Sequence, residues 1–279
     1  MNEIQKKLLD CWDSLMSLYY TIPNEEKSNY ALPYLVYPPD CYFSSQFRVL
    51  VLGKETNGWG DKEKSQWEKQ NYMVELIQLY RSKVCCALKT DSNSPFWNFF
   101  NRLKKGSNAN KRNEKVGFAV ANVALLGYKY GDKGFDPSLI NKGKLGLAYS
   151  LELLYNALTP NMILLTIGDK LNNGDVKYYI NVLKGANIIP NKCINVICSK
   201  DITPKDKKRK IKIFEIESVK SETKIFMTRH PQGCSYGAIC DFIIKKIEES
   251  LVEVVNKGKN QEICQNRDQE ESYPCKVIS

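Results

Sequence analysis

Four short apolar runs divide the chain, and each ends in a glycine, an asparagine or a turn: FRVLVLG (47–53), VGFAVANVALLG (116–127), MILLTIG (162–168) and KIFMTRHP (224–231). Runs of this length without polar alternation are typical of parallel strands that are buried on both faces. Helical periodicity fills the intervals and follows the last run, at about 64–84, 95–105, 143–158, 176–187 and 237–257. This alternation predicts an α/β fold: a three-layer α/β/α sandwich with a central, mainly parallel four-stranded sheet.

The remaining segments predict how the domain is completed. The first residues, MNEIQKKLLDCWDSL, have the pattern of an amphipathic helix and lack the continuous apolar core of a signal peptide. Residues 193–217 have the pattern of two strands joined by a basic, proline-containing turn, an antiparallel addition at the sheet edge. We expect one domain over 1–252, with the helix 1–22 packed on it, and a polar C-terminal tail over 253–279.

Composition narrows the class of protein. Of the 279 residues 43% are hydrophobic, yet no apolar run approaches the roughly 18–20 residues that span a bilayer. The ten cysteines include no CxxC pair, and a single histidine excludes a histidine-rich metal site. We therefore expect a cytoplasmic protein, by default a monomer, with reduced cysteines and no metal or organic cofactor.

Two basic clusters matter more for the choice of partner than the formal net charge of +10. One is PKDKKRKIK (204–212). The other is NRLKKGSNANKRNEK (101–115), which contains Lys104, Lys105, Lys111 and Arg112. Each cluster is either a solvated surface or a set of contacts to phosphate groups, and composition alone does not choose between them.

Polar residues stand where three of the strands end. GKETNGWG (53–60) follows the first strand, with Glu55 at its mouth. Asn122 lies within the second apolar run, where a carboxamide costs about 1–3 kcal/mol unless it is hydrogen-bonded. His230, the single histidine, follows the last strand in RHPQGCSYGA (229–238). Ligands of α/β sheets bind at the carboxyl ends of strands, so these side chains form a candidate site, with capping or solvated positions as the structural alternative.

The order of these motifs resembles the uracil-DNA glycosylase superfamily over about residues 47–245. In that family a GQDPYH-like loop after the first strand carries the acidic residue that activates water, and GKETNG is its counterpart here. An asparagine at the end of an LLLN-like strand reads the base, matched by FAVAN (118–122), and an HPSPLS-like loop precedes the last helix, matched by HPQGCS (230–235). SPFWNFFNRL (94–103) is similar to the proline/aromatic segment before the second strand in several branches.

The resemblance implies a DNA glycosylase that hydrolyses the N-glycosidic bond of a flipped-out base. It implies that Glu55 orients the water and stabilises an oxocarbenium-like sugar, and that His230 donates to the base oxygen as charge develops. Asn122 would hydrogen-bond the base, and either Phe96 or Trp59 would stack on it. A loop tip would enter the minor groove with Gln232, Gly233, Ser235 and Tyr236.

Departures from the family pattern point to the substrate. Glu55 stands where the family has Asp, and Asn57 stands where the uracil-specific branch has the tyrosine that blocks groups at pyrimidine C5. A smaller side chain there admits a substituent, so we expect a 5-substituted pyrimidine, such as those of phage DNA, or uracil. Base-excision repair and defence against modified phage genomes both fit. The family's iron–sulfur spacing is not reproduced by Cys11, Cys41, Cys85 and Cys86.

Other functions stay open at this level. Lys54, next to Glu55, offers a Schiff-base nucleophile for lyase chemistry, although neighbouring residues of an extended strand point apart. A catalytically inactive protein on the same fold, binding DNA or another partner, would also explain the replaced Asp and Tyr. A cysteine hydrolase would use Cys234 and His230 on one short loop, but no orienting third group is identified.

Overall fold

A mixed sheet organises the chain, and it is seen in a computed structural model that describes residues 3–31, 33–55, 72–86, 94–108, 116–127, 136–141, 143–168, 170, 174–191, 194–202, 210–231 and 236–270. Within these ranges, only the backbone is described for Glu55, Tyr72, Cys85, Cys86, Gly174, Asp175 and 257–270. The strands are β1 (Phe47–Glu55), β2 (Val116–Ala124), β3 (Met162–Leu165), β4 (Val196–Ile202), β5 (Ile211–Ile216) and β6 (Lys224–Met227). Across the sheet they follow the order β2-β1-β3-β6-β5-β4.

The four apolar runs form the parallel part of this sheet, as predicted. β1 pairs in parallel with β2 and β3, and β3 pairs in parallel with β6. β3 is buried along its whole length, and β2 is buried at every position except Asn122. Strands covered on both sides require a continuous apolar sequence, which explains why these four were recognisable without alternation.

The expected four-stranded, mainly parallel sheet is wrong in strand number, because the sheet has six strands in the described chain and two of them are antiparallel. β4 and β5 form an antiparallel hairpin, and β5 pairs antiparallel with β6. The edge hairpin expected within 193–217 is therefore confirmed. β5 alternates, with Ile211 and Ile213 buried around the exposed Lys212, whereas β4 is exposed over nearly its whole length. Strands at an edge need less apolar sequence because fewer elements cover them.

The helices follow the predicted intervals with shifted ends. Those of the described chain are α1 (Glu3–Tyr20), α2 (Asn24–Lys27), α3 (Asp40–Ser44), α4 (Tyr72–Cys86), α5 (Pro95–Ser107), α6 (Leu147–Leu158), α7 (Gly174–Gly185) and α8 (Gly237–Glu270). The predicted helix 64–84 corresponds to α4, and its first part lies outside the described ranges. α8 continues to Glu270 rather than ending near 257, while the division into domain and tail stays a prediction. No helix among those described has the length and apolar character needed to cross a bilayer.

Helices cover both faces of the sheet. The register puts Phe118 of β2 and Phe226 of β6 on one face, where Phe118 contacts Phe100 of α5 and Phe226 contacts Phe242 of α8. Gly117 is on the opposite face, where α3 lies against it. A tyrosine hydroxyl of α3 then donates to the last carbonyl of α6. The α/β class is thus confirmed, with helices on each side of the sheet.

Among the described strands β2 is at the edge of the sheet, and hydrogen bonds from a helix side chain and from a loop cover its outer side. The hydroxyl of Tyr80 in α4 donates to the Val120 carbonyl at 2.9 Å and accepts from the Val120 N–H at 3.0 Å. Just beyond the strand, the Tyr34 N–H donates to the Leu125 carbonyl at 2.8 Å. An open strand edge is a template for aggregation, so these bonds protect the end of the sheet that carries Asn122.

Candidate functional site

The four parallel strands end on one side of the sheet, which we call its carboxyl edge. A row of small and polar residues crosses the strands there. Gly53 of β1 pairs with Asn122 of β2. Extending the parallel pairing of β1, β3 and β6 by one residue brings Thr166 and Thr228 into the same row. The N–H groups of both threonines continue the ladder by donating to carbonyls of the neighbouring strand at 2.9 Å. We call this set the polar row.

The carboxamide of Asn122 occupies the space that a side chain on Gly53 would fill. A Cβ built on Gly53 would lie 2.5 Å from Asn122 Oδ1 and 3.8 Å from Cε2 of Phe96. The first distance is far too short for two non-bonded atoms, so glycine is required for this arrangement. Asn122 is half-buried, whereas every other residue of β2 is buried.

The first turn of α5 brings an aromatic ring to the same place. Ser94 precedes the helix and Pro95 stands in its first turn, where a missing N–H leaves no bond unmade. The next residue, Phe96, lies beside Gly53 and nearly parallel to the ring of His230, with 13° between the planes and 6.0 Å between the centroids. One aromatic ring thus connects the end of β1 with the segment that follows β6.

The environment of His230 keeps its imidazole uncharged. Burial of the ring and, to a smaller extent, the positive charge of Lys54 lower the pKa of His230 from 6.5 to about 4. At neutral pH the ring therefore offers one N–H donor and one acceptor nitrogen. Lys54 itself is half-buried in β1. The sequence singled out both residues, but it contained no sign that one would act on the other.

Several predicted site residues lie outside what is described. The backbone of Glu55 ends β1 and pairs with Ala124, two residues beyond the pair Gly53–Asn122, but its side chain is outside the description. Segments of the chain that are outside it altogether contain Asn57, Trp59, Gln232, Gly233 and Ser235. Of the two aromatic candidates for stacking, Phe96 is therefore the one with a known position.

The last residue of the predicted DNA-contacting loop, Tyr236, packs against the body of the protein. Its ring meets Phe99 of α5 edge-on, with 6.2 Å between centroids. Its carbonyl accepts from the Cys240 N–H in the first turn of α8. Tyr236 therefore anchors the start of α8 on α5.

The basic cluster 101–115 leads away from this edge. Lys104 and Lys105 lie in the last turn of α5, and Lys104 Nζ donates to the Val84 carbonyl of α4 at 3.1 Å. The chain then enters β2 at Val116, roughly 20 Å from Asn122 at about 3.3 Å per strand residue. Lys111 and Arg112 lie outside the described ranges. The structure does not bring Lys104 and Lys105 together with Asn122 and His230.

Two members of the polar row, Thr166 and Thr228, were missed in the sequence. Thr228 is fully buried, and its Oγ1 has no hydrogen-bond partner among the described residues. The equally buried Thr166 differs, because its hydroxyl donates to the Leu52 carbonyl at 3.1 Å. Nothing in the sequence TRHP distinguishes a bonded threonine from an unbonded one, since the difference arises from neighbours on other strands.

A groove of about 460 Å³ lies apart from the polar row, between residues 137–141 and α7. It is lined by side chains that include Ser138, Asn141, Tyr178 and Asn181. In the described ranges, no group of three or more His, Cys, Asp or Glu side chains is arranged to hold a metal ion. The absence of a cofactor remains an expectation from the sequence.

Comparison with known proteins adds no relative. No protein-family model, no curated protein and no solved structure matches this chain. The likeness to the uracil-DNA glycosylase superfamily therefore rests on the order of three motifs and on the common sheet edge at which Asn122 and His230 lie.

Proposed function

We propose that this chain is a DNA glycosylase with a uracil-DNA glycosylase-like fold, which releases a flipped-out 5-substituted pyrimidine or uracil and leaves an abasic site. The observation that carries the proposal is the convergence of Asn122, Phe96 and His230 around the bare backbone of Gly53. The proposed setting is a cytoplasmic monomer that acts in base-excision repair or in defence against phage with modified DNA.

Asn122 and Phe96 recognise the base. A carboxamide presents one acceptor and one donor group side by side, as the edge of a pyrimidine does in reverse. A base that leaves the duplex loses its stacking partners, and an aromatic ring beside the carboxamide replaces them. Phe96 is held for this role by the first turn of α5 and by its contact with the edge of Trp97.

His230 assists the departure of the base. As the N-glycosidic bond breaks, its electron pair passes to the base and negative charge grows on the base carbonyl oxygens. A neutral imidazole N–H can donate to such an oxygen throughout the reaction. The pKa of about 4 means that this donor is uncharged at physiological pH. Lys54 supplies the nearby positive charge that favours both the neutral imidazole and an anionic leaving group.

By the resemblance, Glu55 orients the water that attacks the sugar. The water oxygen bonds to sugar C1′ as the base leaves, and the carboxylate accepts the water proton and faces the positive sugar. This chemistry is hydrolytic and monofunctional, because no covalent bond to Lys54 is needed.

The test is base release from duplex and single-stranded DNA carrying uracil, G·T or G·U mismatches, or 5-hydroxymethylated or glycosylated cytosine. Abasic sites are scored by alkaline cleavage. We expect Glu55→Gln, His230→Ala and Asn122→Ala each to slow release about 10²-fold or more, the size typical of a positioned catalytic group. Matched controls are Glu25→Gln in α2 and Asn181→Ala in α7, both exposed and expected to keep the wild-type rate.

Three results would count against the proposal or a part of it. Release that is equally fast in all variants would remove the roles of Glu55, Asn122 and His230. Tight DNA binding without release of any base would favour a catalytically inactive DNA-binding protein on this fold. Trapping of a covalent adduct by borohydride would instead point to lyase chemistry at Lys54.

A further inference from the structure

The β4–β5 hairpin leaves the sheet at the same edge as the polar row. Phe214 of β5 pairs with Met227 and Ile216 pairs with Ile225, so β5 runs antiparallel to β6. The first residues of β5 therefore lie beyond the last residue of β6, on the side where His230 follows. Ile202, the last residue of β4, pairs with Ile211 and ends at the same level. The end of β4 and the start of β5 are thus adjacent to the candidate site.

The sequence over 200–212 carries half of the chain's net charge. Residues 200–212 include seven basic and two acidic side chains, a net charge of +5 against +10 for the whole chain. Lys200, Lys210 and Lys212 are described and exposed, whereas residues 203–209 lie outside the description and contribute here only their charge in the sequence. A field of this size attracts polyanions over a Debye length.

The three described lysines are available to a partner. Lys200 Nζ lies 5.2 Å from the centre of the Phe242 ring in α8, and Lys212 Nζ lies 5.8 Å from that of Phe214. No ion pair joins any of the three to a carboxylate of the described chain, unlike Lys224 and Lys246, which are paired with Glu253 and Glu249. Exposed lysines without a counter-ion are available to bind phosphate oxygens, and packing of Lys200 and Lys212 on aromatic rings does not prevent this.

The spacing fits a strand of nucleic acid that passes the site. Neighbouring strands lie about 4.8 Å apart, so β5 is one strand from the segment that carries His230. Extending the pairing of β5 and β6 by two residues brings Lys212 level with Arg229, which immediately precedes His230, on the face of the sheet opposite Asn122. Lys200 pairs with Ile213, which the same extension places beside Thr228 of the polar row, so Lys200 lies on the face that carries Asn122. Phosphate charges follow one another about every 3.4 Å along each strand of DNA, so several of them pass the site together with an extruded nucleotide.

We propose that Lys200, Lys210 and Lys212 of the β4–β5 hairpin bind the phosphate backbone of the nucleic acid whose base enters the candidate site. The inference rests on the proposed function for the nature of that polymer. It assigns the hairpin to positioning of the substrate, since contacts to phosphate fix the register of a protein on DNA without reading its sequence.

The experiment compares two triple variants of the full chain. One is Lys200→Gln/Lys210→Gln/Lys212→Gln, and the other, with the same change in charge, is Lys6→Gln/Lys83→Gln/Lys144→Gln at exposed positions on other elements. Binding to a fluorescent duplex and to the corresponding single strand is measured by anisotropy over a range of NaCl concentrations. Base release from the best substrate is measured in parallel.

We expect the hairpin variant to bind at least 10-fold more weakly at low salt. Each phosphate contact contributes about 0.9 to the slope of log K against log salt on duplex DNA, so the slope should become shallower by about two to three. The control variant should keep the affinity and slope of the wild type. Because Lys200 packs on Phe242, the double variant Lys210→Gln/Lys212→Gln, with its melting temperature, separates lost contact from lost stability.

The outcomes for the hairpin and for the proposed enzyme are distinguishable. Loss of affinity and slope in the hairpin variant, without base release by any variant, supports the hairpin and contradicts the glycosylase. An unchanged slope with base release retained overturns the hairpin assignment alone. Equal losses in the two triple variants show a general charge effect and overturn it too. No binding of nucleic acid by the wild type overturns both.

Discussion

At Gly53 the absence of a side chain decides where Asn122 can lie. Gly53→Ala would place a methyl group 2.5 Å from Asn122 Oδ1 and should move the carboxamide. We expect base release to fall at least about 10-fold and the free energy of unfolding to fall by roughly 1–3 kcal/mol, the usual cost of overpacking. In a double-mutant cycle with Asn122→Ala, the two effects on release should be strongly non-additive. Additive effects would mean that Gly53 acts independently of Asn122.

The single histidine makes its own titration easy to observe. The pKa of His230 is lower in the folded chain than the unfolded value of 6.5, so folding favours the neutral ring. The free energy of unfolding is therefore unaffected by this group above pH 6.5 and decreases as the pH falls toward about 4. The loss is at most about 3.5 kcal/mol, because a pKa that falls from 6.5 to about 4 corresponds to about 1.4 kcal/mol per pKa unit. The imidazole NMR signal should titrate below pH 5, and urea unfolding of His230→Gln should depend less on pH over this range. An imidazole pKa of 6.5 or higher would contradict the burial described for His230.

Thr166 and Thr228 form a matched pair for testing the buried hydroxyl groups of the polar row. Thr166→Val removes a hydrogen bond to the Leu52 carbonyl and should cost about 1 kcal/mol of unfolding free energy. Thr228→Val removes a hydroxyl without a described partner and should be neutral or stabilising by up to about 1 kcal/mol. Urea unfolding of both variants tests this difference. A larger loss for Thr228→Val would show that its hydroxyl has a partner in solution, such as a buried water.

At the scale of elements, the edge strand β2 depends on one tyrosine of α4. Tyr80→Phe would leave the N–H and carbonyl of Val120 without their partner, and the chain should lose roughly 1–3 kcal/mol of unfolding free energy. The amide of Val120 should also exchange with solvent faster. Tyr155→Phe, which removes a single bond to Thr223 Oγ1 at 3.2 Å, is the control and should cost less. Equal costs for the two variants would show that the edge is protected by other contacts.

The elements show which local patterns carry enough information to predict structure. β1, β2, β3 and β6 were recognisable because burial on both faces demands an unbroken apolar run. α8 was predicted to end near 257, yet it continues to Glu270 through sequence with little apolar periodicity. A helix once nucleated extends at low cost per residue, so its end need not follow the end of the apolar pattern.

For the whole molecule, the described lysines of the two basic clusters lie at different ends of the strands. Lys104 and Lys105 lie in the last turn of α5, which precedes β2, whereas β4 ends and β5 begins beside the carboxyl edge of the sheet. Per charge removed, Lys104→Gln/Lys105→Gln should therefore change the salt slope of DNA binding less than the hairpin variant does. It should also lower stability by about 1 kcal/mol, because Lys104 donates to the Val84 carbonyl. A slope change per charge as large as that of the hairpin would place DNA across both regions.

The sequence alone determined the α/β class, the four parallel strands and the positions of Glu55, Asn122 and His230 at strand ends. These are local properties, because burial and turn formation leave their pattern in neighbouring residues. Only the tertiary structure decided that Phe96 lies between Gly53 and His230, that burial and Lys54 lower the pKa of His230, and that the hairpin rather than Lys104 and Lys105 flanks the site. Each of these depends on pairing between residues far apart in the chain, and the register and direction of that pairing are set by the packing of the whole sheet.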